Sequence, residues 1–297
     1  MTKCLPALAA LLSVSVFTPA RPLEMPGPQQ ASRTRDIYVS VLDDKGQPVP
    51  GLTTADFVVR EDGTLREVLK AGPATAPLQV ALLVDDSQAS TPLIQPLREG
   101  LTAFVDRMAG KAEVALISFG ERPTTVTEYT TSAEQLKRGI GRIFARPGSG
   151  PYLLDAIVDA SRGLQKREAA RPHIVVVTVE GIEFSNRHYQ SVLDELGKSG
   201  AVLHVLAVGA PASLHSDEMR NRALVLAEGT AHSGGRRDQL LAETALPDRL
   251  KEVAGELLNQ YVVTYGRPET LIPPERVEVS VTRPGVTVRA RTRVKGT

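Results

Sequence analysis

The sequence has 297 residues, 42% of them apolar and 23% charged, with 24 glycines and 21 prolines. That length holds one large domain or two modest ones, and with 4% aromatics and no Trp the core must be built from Val, Leu, Ile and Ala. A formal net charge of +1 argues against a nucleic-acid or acidic-membrane footprint, and the single cysteine, Cys4, excludes a disulfide scaffold or a cysteine-based zinc finger.

Residues 1–20 read as a secretory signal: Lys3, then an apolar run from Cys4 to Phe17, then Thr18-Pro19-Ala20. The run is shorter than the roughly 20 residues needed to span a bilayer. Cys4 precedes it, which disfavours a lipid-anchored cysteine. Cleavage after Ala20 would balance the acidic and basic residues and leave no thiol. The expected location is secreted or periplasmic, with no transmembrane segment in the mature chain. Residues 21–35, rich in proline and polar groups, read as a flexible leader. No internal repeat is present.

From residue 36 to 75 the pattern alternates. Ile37, Val39 and Val41 share one face of a strand, and Asp43-Asp44-Lys45-Gly46 turns. The acid pair there lacks the spaced ladder of a calcium loop and reads as a turn. Phe57 to Arg60 is a second strand and Leu65 to Leu69 a third. The period then changes. Continuous apolar runs at Leu78–Val84, Val114–Ile117, Ile174–Val177 and Val202–Val208 suit strands buried on both faces. Helical stripes lie between them: Leu97, Leu101, Phe104, Val105 and Met108, capped by Ser90 or Thr91 with Pro92 in the first turn; Leu153, Ile157, Ala160 and Leu164; Leu193 and Leu196; and Leu250, Val253, Ala254, Leu257 and Leu258. Residues 266–297 return to alternation through Val277, Val279 and Val281, then Val286, Val288, Ala290 and Val294. The predicted fold class is α/β: a doubly wound, mostly parallel, Rossmann-like sheet over residues 76–265, with one small β-sheet unit formed by the N- and C-terminal flanks.

In such a sheet, ligands bind beyond the carboxyl ends of the strands. Those ends read Asp85-Asp86-Ser87-Gln88-Ala89-Ser90 and Thr178-Val179-Glu180-Gly181-Ile182-Glu183, with Gly148-Ser149-Gly150-Pro151 opening a helix. Strand-end acids beside hydroxyls are the set that a hard cation selects.

These tips resemble a von Willebrand factor A domain, whose Asp-x-Ser-x-Ser, loop Thr and later Asp form a metal-ion-dependent adhesion site completed by a partner's carboxylate. Val39–Phe57 with Glu61-Asp62-Gly63, Ser233–Arg236, Gln260–Tyr265 and Val288–Arg291 resemble the flanks of a bacterial secreted subfamily often called VWFA-related. The resemblance implies a vWA-like fold and a site holding Asp85, Ser87 and Glu180 as metal ligands. The motif is degenerate: Ala89 replaces the second Ser, Pro151 the Thr, and Glu180 the Asp. Mg2+ is therefore expected to bind weakly or not at all. The implied function is non-enzymatic recognition of a protein or extracellular-matrix ligand, by a face made of Asp85, Asp86, Ser87, Ser90, Ser149, Tyr152, Glu180, Glu183 and Phe184.

The alternative is a Mg-dependent phosphoester hydrolase using Asp85, Asp86 and Glu180, although no phosphate-binding loop is present: Gly197-Lys198-Ser199 lacks the earlier glycine. A phosphorelay receiver would start with Val84-Asp85-Asp86, but Ser118-Phe119-Gly120 supplies no phosphoacceptor. Neither a Gly-x-Ser-x-Gly elbow nor a His-x-x-x-His pair occurs, and His204 reads as a core residue. Arg289, Arg291, Arg293 and Lys295 read as a solvated stripe guarding a sheet edge.

Overall fold

A computed structural model describes residues 32–211, 213–268, 272 and 274–293. The expected signal and most of the expected leader lie outside these residues, as do Val294 and Lys295. In chain order the strands are β1 (Ser32–Leu42), β2 (Phe57–Glu61), β3 (Thr64–Arg66), β4 (Val68–Pro73), β5 (Leu78–Val84), β6 (Ala112–Ser118), β7 (Thr124–Thr130), β8 (Arg171–Val179), β9 (Val202–Val208), β10 (Arg237–Leu240), β11 (Tyr261–Pro268), β12 (Val277–Val281) and β13 (Thr287–Ala290). The helices are α1 (Ile94–Met108), α2 (Ala133–Ile140), α3 (Leu153–Lys166), α4 (Tyr189–Ser199), α5 (Asp217–Ser233) and α6 (Leu246–Leu258).

The central sheet has the order β10-β9-β8-β5-β6-β7. All its pairings are parallel except that of β6 with β7. Along β5, Leu78, Val80, Leu82 and Val84 face α1 and α6, while Ala81 and Leu83 face α3 and the α4–α5 layer. Both faces of β5 are thus covered, which is why its sequence is continuously apolar. Connections leave β5 towards β6 on one side and return through β8 on the other, so the crevice beyond β5 and β8 is a topological switch point.

The flanks depart from the single small sheet that the sequence suggests. They form two antiparallel sheets, β13-β1-β11-β4 and β12-β2-β3, closed over Val39, Val41, Phe57, Val59, Tyr261, Val263 and Val277. Neither sheet alone encloses a core; face to face they do. Tyr261 stacks obliquely on Phe57 with ring centroids 5.5 Å apart, and its hydroxyl donates to Val49 O at 2.8 Å. Buried Glu61 receives Arg66, Arg267 and the Tyr265 hydroxyl, all within 3.1 Å.

Several expectations change in detail. Strand β1 begins at Ser32, inside the expected leader, because Arg35 and Ile37 already pair with Tyr265 and Val263 of β11. The expected third strand is two, β3 and β4, which belong to different sheets. Strand β11, grouped by sequence with the α/β segment, pairs instead with β1 and β4. Pro92 lies in a 3-10 turn, Gln88–Leu93, ahead of α1; the Ser90 and Thr91 hydroxyls bond Ser87 O and Gln88 O and close that turn rather than cap the helix. The basic stripe is not solvated along its length: Arg289 pairs with buried Glu256 at 2.9 Å and Arg291 donates to Ala201 O at 3.0 Å. The Asp43 turn is as read, with one carboxylate oxygen accepting from Lys45 N and Gln47 N.

Candidate functional site: the loop face beyond the central sheet

Strand β5 delivers Asp85 to the switch-point crevice, and the carboxylate is 2% exposed. One oxygen accepts from Ser87 N at 3.0 Å; the other accepts from Thr178 Oγ1 and Val179 N, each at 3.1 Å. Asp85 therefore clamps the β5 tip to the β8 tip. Asp86 faces the other way. Its Oδ1 accepts from Gly120 N at 2.6 Å and its Oδ2 from Arg146 Nε at 2.8 Å. A Cβ on Gly120 would lie 2.5 Å from the Asp86 carbonyl carbon, so the β6 tip approaches this closely only because residue 120 is glycine. Ser87 and Ser90 are both buried, and the Ser87 hydroxyl has no partner among the described residues.

The second loop leans on the first. Gly148 N donates to the Gln88 side chain at 2.7 Å, and Ser149 Oγ donates to Arg146 O at 2.8 Å. Phe184 N donates to Pro151 O at 2.9 Å, and its ring covers Gly150 so closely that a Cβ there would sit 2.1 Å from a ring carbon. Tyr152 lies beside it, with centroids 6.0 Å apart. Ile182 and Phe184 nevertheless keep 62% and 49% of their surface in water.

At the third loop, Glu180 turns towards Arg237 of β10, 3.5 Å away. Glu183 is buried and accepts from Ser185 N at 2.9 Å; burial pushes its carboxyl up to about 7 against that hydrogen bond. Arg222 of α5 enters from below. It donates to Val179 O at 2.7 Å, Gly181 O at 3.0 Å, Ile182 O at 3.3 Å and Thr178 Oγ1 at 3.2 Å. One guanidinium thus holds the turn after β8, satisfying carbonyls that strand pairing has left behind.

This donor set does not fit a six-coordinate divalent ion. Both Asp85 oxygens already accept protein hydrogens, Ala89 and Pro151 carry no hydroxyl, Glu180 is turned to Arg237, and Arg146 occupies Asp86. Among the described residues no group of three or more His, Cys, Asp or Glu is placed to hold a metal. The three acids of the hydrolase alternative turn to different partners: Asp85 to Ser87, Thr178 and Val179, Asp86 to Gly120 and Arg146, and Glu180 to Arg237.

Of the nine residues expected on the face, Asp85, Asp86, Ser87, Ser90 and Glu183 build its interior, Ser149, Tyr152 and Glu180 are half-buried, and Phe184 projects. Sequence reasoning missed the three guanidiniums, Arg146, Arg222 and Arg237. Arg146 and Arg237 pair with acids distant in sequence, and Arg222, buried against carbonyls, has no distinguishing local pattern either. Helix α5 itself was detectable from its ends: Ser216 Oγ accepts from Met219 N at 3.2 Å, and Gly234 closes the helix with φ 82°.

The family model of the von Willebrand factor type A domain matches residues 80–181. No curated protein matches the chain. A solved von Willebrand factor type A structure from Catenulispora acidiphila is similar with a TM-score of 0.52 and 11% identity, over 91% of this chain and 75% of that one. Proximal thread matrix protein 1 from the mussel byssus, solved with a zinc-occupied MIDAS motif, is similar with a TM-score of 0.50 and 16% identity, over 67% of this chain and 49% of that one. At such identities the likeness concerns the fold. The matched segment runs from β5 to just past the tip of β8, and over it the chain is similar to von Willebrand factor type A domains.

Proposed function

We propose that the protein is an exported, non-enzymatic recognition module that binds a protein or matrix partner through the loop face beyond β5 and β8, without a resident metal. The observation that carries this is the pairing of exposed apolar side chains with a rigid base. Ile182 and Phe184 project into water, while the loops beneath them are fixed by Asp85, Asp86, Arg146 and Arg222. Exposed apolar groups held on a pre-ordered backbone lose little entropy on association, which is what a hot spot requires. The degenerate ligand set supports independence from metal, and the amino-terminal apolar run supports export. No helix among the described residues is long and apolar enough to cross a membrane.

The test is capture from the exported fraction of the native organism with the parent protein and with I182E/F184S. Ile182 is exposed, Phe184 half so with its ring over Gly150, and circular dichroism of the variant checks that the fold is retained. The parent is expected to retain a discrete partner, equally with and without a chelator, and the variant to lose it about tenfold or more. Equal retention by parent and variant would reject this face; loss of capture in chelator would reject metal independence.

A further inference from the structure

Resting on that recognition reading, we infer that the face carries a specificity pocket for a chain-terminal aliphatic residue, taking its carboxylate and its side chain together. Beyond the tips of β8 and β9, against the start of α5, lies a cavity of about 180 Å3. Its apolar wall is Leu214, Met219 and Leu226, and its polar groups are Glu180, Arg222 and Arg237. A cavity this size is below the roughly 300–1,000 Å3 of small-molecule sites. It matches a single residue.

The charge of the wall favours an anion. Arg222 is 3% exposed and spends its hydrogen bonds on neutral oxygens: three carbonyls and the Thr178 hydroxyl. No carboxylate among the described residues forms an ion pair with it. Glu183 feels the Arg222 charge, but burial opposes its ionisation more strongly. A buried guanidinium with no carboxylate in direct contact is costly, and its field falls on the adjoining cavity. Arg237 is reachable, with its side chain 32% exposed, and Glu180 holds it only at 3.5 Å, longer than a charge-assisted hydrogen bond. An incoming carboxylate can therefore take Arg237 at normal distance, with the Arg222 charge behind it. An internal acidic residue would need a second residue to fill the apolar wall; a terminal Leu or Ile brings both groups on one residue.

The probe is N-acetyl-leucine, titrated into the protein and followed by amide chemical shifts, with N-acetyl-leucinamide as the neutral control. The acid is expected to bind, shifting residues of the β8 and β9 tips, and the amide to bind about tenfold more weakly, the effect of one charge-assisted hydrogen bond. R237Q, whose backbone still pairs with Val205 of β9, should weaken the acid by a similar factor, and E180Q, which removes the competing carboxylate, should tighten it severalfold. Equal binding of acid and amide, or no effect of R237Q, overturns the proposal. Absence of acid binding while I182E/F184S still loses its partner would remove the pocket and leave the recognition face standing.

Discussion

At the C-terminal ends of β5 and β8, Asp85 and Asp86 lie buried, and each of their four carboxylate oxygens accepts a hydrogen from a backbone amide, a hydroxyl or Arg146. Near the N-terminal ends of β8 and β9, His173 and His204 are equally buried, joined Nδ1 to Nε2 at 3.2 Å with their rings stacked. The groups around that pair are cationic: Arg171 on β8, Arg236 ahead of β10, and Arg289 and Arg291 at β13, with Gln260 after α6 and Glu256 already committed to Arg236 and Arg289. One end of the sheet accommodates charge by surrounding it with donors. The other tolerates only the uncharged form. Burial, the His204 ring and Arg171 hold His173 well below its usual range, and burial with Arg236 and Arg289 holds His204 at about 3.

Acid is the strongest way to separate the two ends. Both histidines have folded values below the unfolded value of about 6.5, so their contribution is complete above that pH. It is lost as the pH falls from there towards the folded values. Two such groups give a slope near 2.7 kcal/mol per pH unit below about 6. Urea denaturation of the parent at pH 7, 6 and 5 should show it, and H173L/H204L should flatten it; an unchanged slope in the double variant would place the acid sensitivity elsewhere.

The next effect concerns the loop end. Arg222→Met leaves the carbonyls of Val179, Gly181 and Ile182 without their donor. The expected cost is about 3–5 kcal/mol, as for breaking a buried polar network from one side. Hydrogen exchange at residues 179–184 should quicken before the rest of the sheet; uniform exchange would show that the turn does not depend on this guanidinium.

The smallest expected effect runs opposite in pH to the histidines. The folded value of Glu183, about 7, exceeds its unfolded value of 4.5, so its burial is favourable while protonated and is penalised as the pH rises through that window. Glu183→Gln should stabilise the protein at pH 8, by up to about 3 kcal/mol, and have little effect at pH 4. A destabilised variant at pH 8 would mean that the hydrogen bond to Ser185 outweighs the cost of burial.

Much of the fold was legible because period reports burial. Continuous apolar runs mark strands covered on both faces, and the alternating flanks mark strands with one wet face. The edge strand β7 escaped notice because Thr124 to Thr130 is polar and half-exposed, with a bulged register against β6. At the site, the sequence located the three loops and the acids but not their direction. Carboxylates that line a cleft and carboxylates that hold a turn from within are the same letters. The deciding partners, Gly120, Arg146 and Arg222, lie 34, 60 and 44 residues from Asp86, Asp86 and Thr178 respectively. His204 was readable as a core residue; its partner His173 was not, since only the register of β8 on β9 brings the rings together.

The placement of β1 between β11 and β13 has a consequence for the order of assembly. Val39 pairs with both Tyr261 and Ala290, so β1 waits for partners made more than 200 residues later. The doubly wound sheet closes over shorter separations and is the natural early nucleus. During synthesis β1 then stays an unpaired, aggregation-prone ribbon until β11 and β13 arrive to zip it shut.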